Sequence, residues 1–190
     1  MEYIAIPSKI NFQDYNVLSP IIKNLRSLNN FICLVKENSL ILEKLKKGNI
    51  SKIERKLKIK NLRDSIMKKR FRIKDFFTLA KELDFSDEQT YSFIGSIKNS
   101  DEHQRAGHTS KSIDLPNLDE LEKLGYLLGW ITGDGHLSRT NINLDNNDIE
   151  VQDKYREYLK EIFNIDSKIK KNHTCWTVTD CAGKTFVRFI

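Results

Sequence analysis

The chain has 190 residues, 39% of them hydrophobic, and a net charge of +6. That composition suits one large packed domain or two small ones and excludes a disordered polymer. No apolar run approaches a bilayer's thickness and no signal-like segment opens the chain, so a soluble, cytoplasmic protein is expected.

From about residue 18 to residue 98 the apolar side chains recur at helical spacing, which predicts an all-helical N-terminal region. Leu40, Ile41 and Leu45 share one face of a helix that Gly48 ends. Asn49 or Ser51 would cap the next helix, whose inner face holds Ile50, Ile53 and Leu57. After a break at 59–61, a short helix over 62–69 turns Leu62 and Ile66 inward. A further helix over 73–83 carries Phe76, Phe77, Leu79, Ala80 and Leu83 as its core stripe.

Charge is concentrated in the same region. Residues 44–74 hold fourteen Lys/Arg against two Asp/Glu, a local balance of +12 that leaves −6 for the rest. Such a block suits phosphate contacts, which release counterions, although a solvated lysine-rich surface has the same composition.

Two short helices, a tight turn and a supporting aromatic helix form the frame of a helix-turn-helix. The stretch 44–86, above all "SIMKKRFRIKDFFTLAKELDFS", resembles Cro/repressor-type domains. The resemblance implies that 61–69 is a recognition helix offering Arg63, Ser65, Lys68 and Lys69 to a major groove. A generic helical bundle with a basic face explains these residues as well.

Residues 99–112, "NSDEHQRAGHTSKS", have no apolar periodicity and read as a linker between an N-terminal domain, 1–98, and a C-terminal one, 113–190. His103 and His108 read as exposed loop residues.

The segment 121–137, "LEKLGYLLGWITGDGHL", carries the sharpest pattern. As a helix it places Gly125, Gly129 and Gly133 on one stripe, with Leu124, Leu127, Leu128 and Ile131 elsewhere on its surface. Each glycine costs about 1 kcal/mol of helix propensity relative to alanine, so a second helix backbone is expected to approach that stripe closely. Gly135 suits a left-handed helix end. Asp134 places a carboxylate at the negative end of the helix dipole, where a divalent cation would favour it. An ordinary Asp-Gly turn explains the pair without metal.

The segment "LLGWITGDG" resembles the signature of the LAGLIDADG homing endonucleases, with Leu127, Gly129, Ile131, Asp134 and Gly135 matching. Leu128 replaces a small residue and Thr132 stands where the family often has its first Asp. The resemblance implies that Asp134 is a catalytic metal ligand, with the Gly133 carbonyl as companion, and that Mg²⁺ or a similar divalent cation is the cofactor.

The rest of the chain alternates accordingly. Strands are predicted at 136–139 and 141–145, a helix to about Phe163 opened by Asn147 and Glu150, strands at 167–171 and 175–179, and a helix over 185–190. Trp176 and Val178 would point inward. Cys33, Cys175 and Cys181 form no disulfide framework, and with His173 their spacing matches no zinc pattern.

The predicted fold class is therefore α+β. An all-helical N-terminal domain precedes an α-β-β-α-β-β-α half-saddle whose last helix is expected to be cut short at Ile190. The open sheet face would present Asn143, Asp145, Lys168, Lys170, Asn172 and Thr177 to DNA. By resemblance, Lys184 is expected to stabilise charge at the cut phosphate. One motif in the chain implies a homodimer, or a longer protein with a second motif. The reading is a site-specific double-stranded DNA endonuclease. The alternative is a non-catalytic DNA-binding protein or regulator built on the same fold. Neither end carries a splice-junction pattern that would suggest an intein.

Overall fold

The computed structural model describes residues 18–28, 30–100, 111–172 and 174–190. His103 and His108, with most of the predicted linker, lie outside them, as does His173. The described part is α+β, built around two four-stranded antiparallel sheets.

The N-terminal part is not all-helical. After helix α1 (Leu18–Ser27), strand β1 (Phe31–Val35) begins a sheet that also takes β2 (Arg70–Arg72), β3 (Ile94–Asn99) and β4 (Ile113–Asp114), in the order β2-β1-β3-β4. β1 reads "FICLV", and an apolar run of this length fits a strand or a buried helical turn equally well. Its β-branched and aromatic ends, and the pairing of Cys33 with both Phe71 and Ile97, decide for the strand. Ile113–Asp114 pair with β3, so the start of the predicted C-terminal domain contributes a strand to this first sheet.

Between β1 and β2 run the three predicted helices: α2 (Leu40–Lys47), α3 (Ile50–Leu57) and α4 (Leu62–Lys68). Asn49 caps α3 by accepting from the Lys52 amide at 3.1 Å. Gly48 closes α2 in an extended, not left-handed, conformation. The turn from α3 to α4 uses two non-glycine residues in the left-handed region, Lys58 (φ 55°) and Asn61 (φ 58°). Glu54 supports that turn by accepting from the Leu62 amide at 2.6 Å. Leu62 and Ile66 are buried as expected, and α5 (Ile73–Glu82) buries Phe76, Phe77, Leu79 and Ala80. Helix α6 (Asp87–Phe93), opened by a Ser86–Gln89 capping box, leads directly into β3.

The C-terminal part has the predicted order. Helix α7 (Leu121–Asp134) precedes β5 (Gly135–Leu137) and β6 (Ile142–Asn146). Helix α8 (Ile149–Phe163) then precedes β7 (Ser167–Lys171), β8 (Trp176–Asp180) and α9 (Lys184–Phe189), and the strands lie in the order β5-β6-β8-β7. Asp148, one residue beyond the predicted cap, starts α8 by accepting from the Glu150 amide at 2.9 Å. Within α8, Gln152 is buried and Val151 half-buried. The Gln152 side-chain amide donates to the carbonyls of Leu144 (3.0 Å) and Trp176 (2.8 Å), so one buried side chain pins α8 across β6 and β8.

The two parts meet through α9. Asn24 donates to the Phe189 carbonyl at 2.7 Å, the Asn99 amide donates to Thr185 Oγ1 at 3.3 Å, and Arg188 donates to Asn99 Oδ1 at 3.4 Å. The second sheet and its helices are thereby braced against the first.

Gly135 corrects one expectation. Its backbone is extended (φ −78°, ψ 141°), not left-handed. Glycine is needed there for a different reason: a Cβ would stand 2.2 Å from the carbonyl oxygen of Ile131. Gly135→Ala must push the β5 strand away from the end of α7. A loss of about 1–3 kcal/mol is expected, typical of overpacking, and urea unfolding of the variant beside the parent measures it.

Candidate functional site at the foot of α7

Helix α7 is apolar on two sides. Leu124, Leu127 and Ile131 are buried against β6 and α8. On another side Gly129 and Gly133 are exposed, and a Cβ built on either meets nothing within 4 Å. Gly125 is half-buried, and Tyr126 and Leu128 beside the stripe are 56% and 37% exposed. Leu128 also borders an apolar groove of about 270 Å³ with Pro20, Ile21, Leu124 and Phe189. Inside one chain, then, no backbone approaches Gly129 or Gly133 among the described residues. Thr132 turns its hydroxyl back onto the Leu128 carbonyl at 2.7 Å.

Asp134 ends the helix with an exposed carboxylate. Asn146, at the end of β6, donates its side-chain amide to Asp134 Oδ2 at 3.2 Å and accepts from the Asp148 amide at 2.8 Å. Asn146 thus links the candidate ligand to the cap of α8. Sequence reasoning misses it, because alternation along β6 sets it apart from Asn143 and Asp145.

No group of three or more His, Cys, Asp or Glu side chains stands close enough to hold a metal ion among the described residues. A hard cation takes six or more oxygens. One chain offers the Asp134 carboxylate and the Gly133 carbonyl, a carbonyl of the last helical turn with no intrahelical amide to bind. The donors fit such an ion in kind but do not enclose it.

Strand register sorts the predicted sheet residues cleanly. Ile142, Leu144 and Val178 are fully buried toward the helices. Asn143 pairs with Thr179 and Asp145 with Thr177, which in turn pair with Lys168 and Lys170, so these residues share the opposite, open face. Asn172 follows β7 and donates to Thr177 Oγ1 at 2.7 Å. Alternation predicts Trp176 inward with Val178; Trp176 is only half-buried, and Lys171 lies over its ring at 5.2 Å.

Asp134 and Lys184 are not brought together. Asp134 sits beside Asn146, whereas Gly183, just before Lys184, lies against the Thr140 carbonyl beyond the other end of β6. Four residue steps of strand separate those ends, about 13 Å.

The turn leading to Lys184 is held by Asp180, a residue that sequence reasoning passes over. Its carboxylate accepts from the Ile142 amide and, at 2.9 Å, from the Ala182 amide. Burial pushes its carboxyl above the usual carboxylate range, and the backbone amides of Ile142, Ala182 and Gly183 partly offset that. Period-two alternation along "WTVTD" puts Asp180 on the inward face with Trp176 and Val178, a signal that could have found it.

In the basic region Arg63 is exposed and Ser65 half-buried. Lys68 pairs with Asp64 at 3.0 Å in an exposed bridge of small energetic weight. Lys69 is drawn to Glu37, whose carboxyl it holds below its ordinary value by hydrogen bond and charge. Lys58, Lys60, Arg70 and Arg72 are also exposed, so the positive surface extends past α4 onto β2.

Residues 121–190 match the family model of a LAGLIDADG-like domain. The match covers α7 through α9 and supports the LAGLIDADG family for that part of the chain. No curated protein sequence matches the chain. No helix among the described residues is long and apolar enough to cross a membrane.

If the basic surface meets phosphates, Arg63→Ala with Lys68→Ala weakens duplex binding and flattens its salt dependence. The log–log slope should fall by about one for each phosphate that is no longer neutralised. Titrations at several salt concentrations read this directly, and an unchanged slope removes α4 from the interface.

Proposed function

We propose that the protein is a site-specific double-stranded DNA endonuclease of the homing type, hydrolysing phosphodiester bonds with Mg²⁺ or a similar divalent cation. The observation that carries this reading is α7. A glycine stripe left bare along one side ends in a carboxylate at the edge of a sheet with a polar open face. The family match over 121–190 supports it.

In this reading the stripe receives the same stripe of a second copy, in a twofold, self-complementary contact. Two Asp134 carboxylates then meet near the open faces of two sheets. Like charges so placed repel, and divalent cations with DNA phosphates supply both the compensation and the oxygens that one chain lacks. Asp134 and the Gly133 carbonyl would hold the ion. Bound there, such an ion supplies a water activated for attack and charge neutralisation at the phosphate.

The protein's own groups orient the substrate around that point. Asn146 fixes the Asp134 carboxylate by its amide hydrogen bond. Lys168 and Lys170 on the open face put positive charge toward the duplex, and Lys184 adds a further charge at the end of β6 away from Asp134. The N-terminal unit, about 1–98 with a helix-turn-helix-like segment at 44–86, is proposed to grip flanking DNA through Arg63, Ser65, Lys68 and Lys69. Residues 121–190 are proposed as the cutting unit, while Ile113–Asp114, at the start of the expected C-terminal domain, stay with the first sheet.

Asp134→Asn preserves size and removes the charge. It is expected to abolish Mg²⁺-dependent cutting of a plasmid that carries the cognate site, a loss of at least about a hundredfold, in keeping with the several kcal/mol a metal-ion clamp contributes. Binding in Ca²⁺ should change little. Equal cutting by variant and parent refutes the mechanism. A parent that binds its site and never cuts favours the non-catalytic alternative.

A further inference from the structure

The open face of the second sheet is chemically divided. Asn172 donates to Thr177 Oγ1 at 2.7 Å, and that hydroxyl donates in turn to Asp145 Oδ1. A hydroxyl has a single proton, so the one on Thr177 is already committed. The relay from Asn172 through Thr177 therefore ends in a carboxylate that can only accept. Asp145 is exposed and has no ion-pair partner among the described residues.

Two strands away in the same transverse row stands Lys170, exposed, without an ion-pair partner among the described residues, and able only to donate. The row Asp145–Thr177–Lys170 thus runs from an acceptor end to a donor end.

A bare carboxylate on a surface facing DNA is repelled by phosphates. It gains free energy only where it meets a donor. On major-groove edges the donors are the amino groups of cytosine and adenine, while a lysine ammonium finds paired acceptors on guanine. Resting on the proposal that this sheet meets duplex DNA, we infer that Asp145 is a specificity-determining residue. It requires cytosine or adenine at one position of each half-site, and Lys170 selects guanine at another. The Asn172–Thr177 relay holds the carboxylate in its reading position.

Selection of bound duplexes from a randomised library tests this with the full chain in EDTA, where binding proceeds without hydrolysis. The parent is expected to enrich cytosine or adenine at one position and guanine at another, each by about tenfold or more. Asp145→Arg should convert the first position to guanine and leave the others unchanged. Lys170→Ala should relax only the second. If circular dichroism shows that Asp145→Arg does not fold, Asp145→Ala should level the base frequencies at that same position.

An identical motif from parent and Asp145 variants overturns the inference, as does a uniform broadening of all positions, which marks Asp145 as a hairpin anchor only. A parent that binds duplexes without any motif also overturns it, while leaving DNA binding intact. A parent that binds no duplex refutes the endonuclease reading itself.

Discussion

Helix α7 has two unlike sides, one committed to the sheet and α8 and one left open, and the arrangement of the C-terminal part follows from that. Leu124, Leu127 and Ile131 are committed to the sheet and α8, where they are at most 7% exposed. The glycines must therefore lie off that face, and Gly129 and Gly133 do so with open space around them. Three glycines in a fourteen-residue helix cost about 1 kcal/mol each in propensity. Nothing among the described residues uses the room that Gly129 and Gly133 leave. Close approach of another backbone is the use that such a stripe serves best.

The same helix determines where Asp134 stands. Because the chain passes from α7 into β5 with no intervening loop, the carboxylate is fixed relative to the sheet by one peptide junction. Gly135 permits that junction by having no Cβ to collide with Ile131. Buried polar side chains then hold the sheet against its helices: Gln152 bridges β6 and β8, and Asp180 ties β6 to the turn before α9. The Gln152 side-chain amide donates to two backbone carbonyls and the Asp180 carboxylate accepts from two backbone amides, which makes each a specific lock on register.

Much of this is legible in the sequence, because period and punctuation agree. The C-terminal order of elements follows from alternation in "INLDN" and "WTVTD" and from helical spacing between them. The open-face residues follow from the same alternation. What is not legible has physical reasons. "FICLV" is too short to separate strand from helix by period, so periodicity alone reads the first sheet as helical. Its partners, "RFR" and "IGSIKN", are short or carry glycine and serine, and pairing between positions as distant as Ile32 and Lys98 leaves no local mark. Positive φ is the commoner reason for a glycine at a helix end, whereas Gly135 answers to a close approach that leaves no trace in the sequence. Asp148 displaces Asn147 as cap because both are good caps and the sequence offers them side by side.

The central claim is that the bare stripe of α7 is an interface between two copies and that the single chain folds without it. Sedimentation equilibrium of wild type and Gly129→Leu at micromolar concentration tests it most directly. Since a Cβ at 129 meets nothing within 4 Å in one chain, the variant should keep the parent's circular dichroism. The wild type should sediment as two chains and the variant as one. A wild type that stays at the mass of one chain, or a variant that dimerises as tightly as the parent, would contradict the claim.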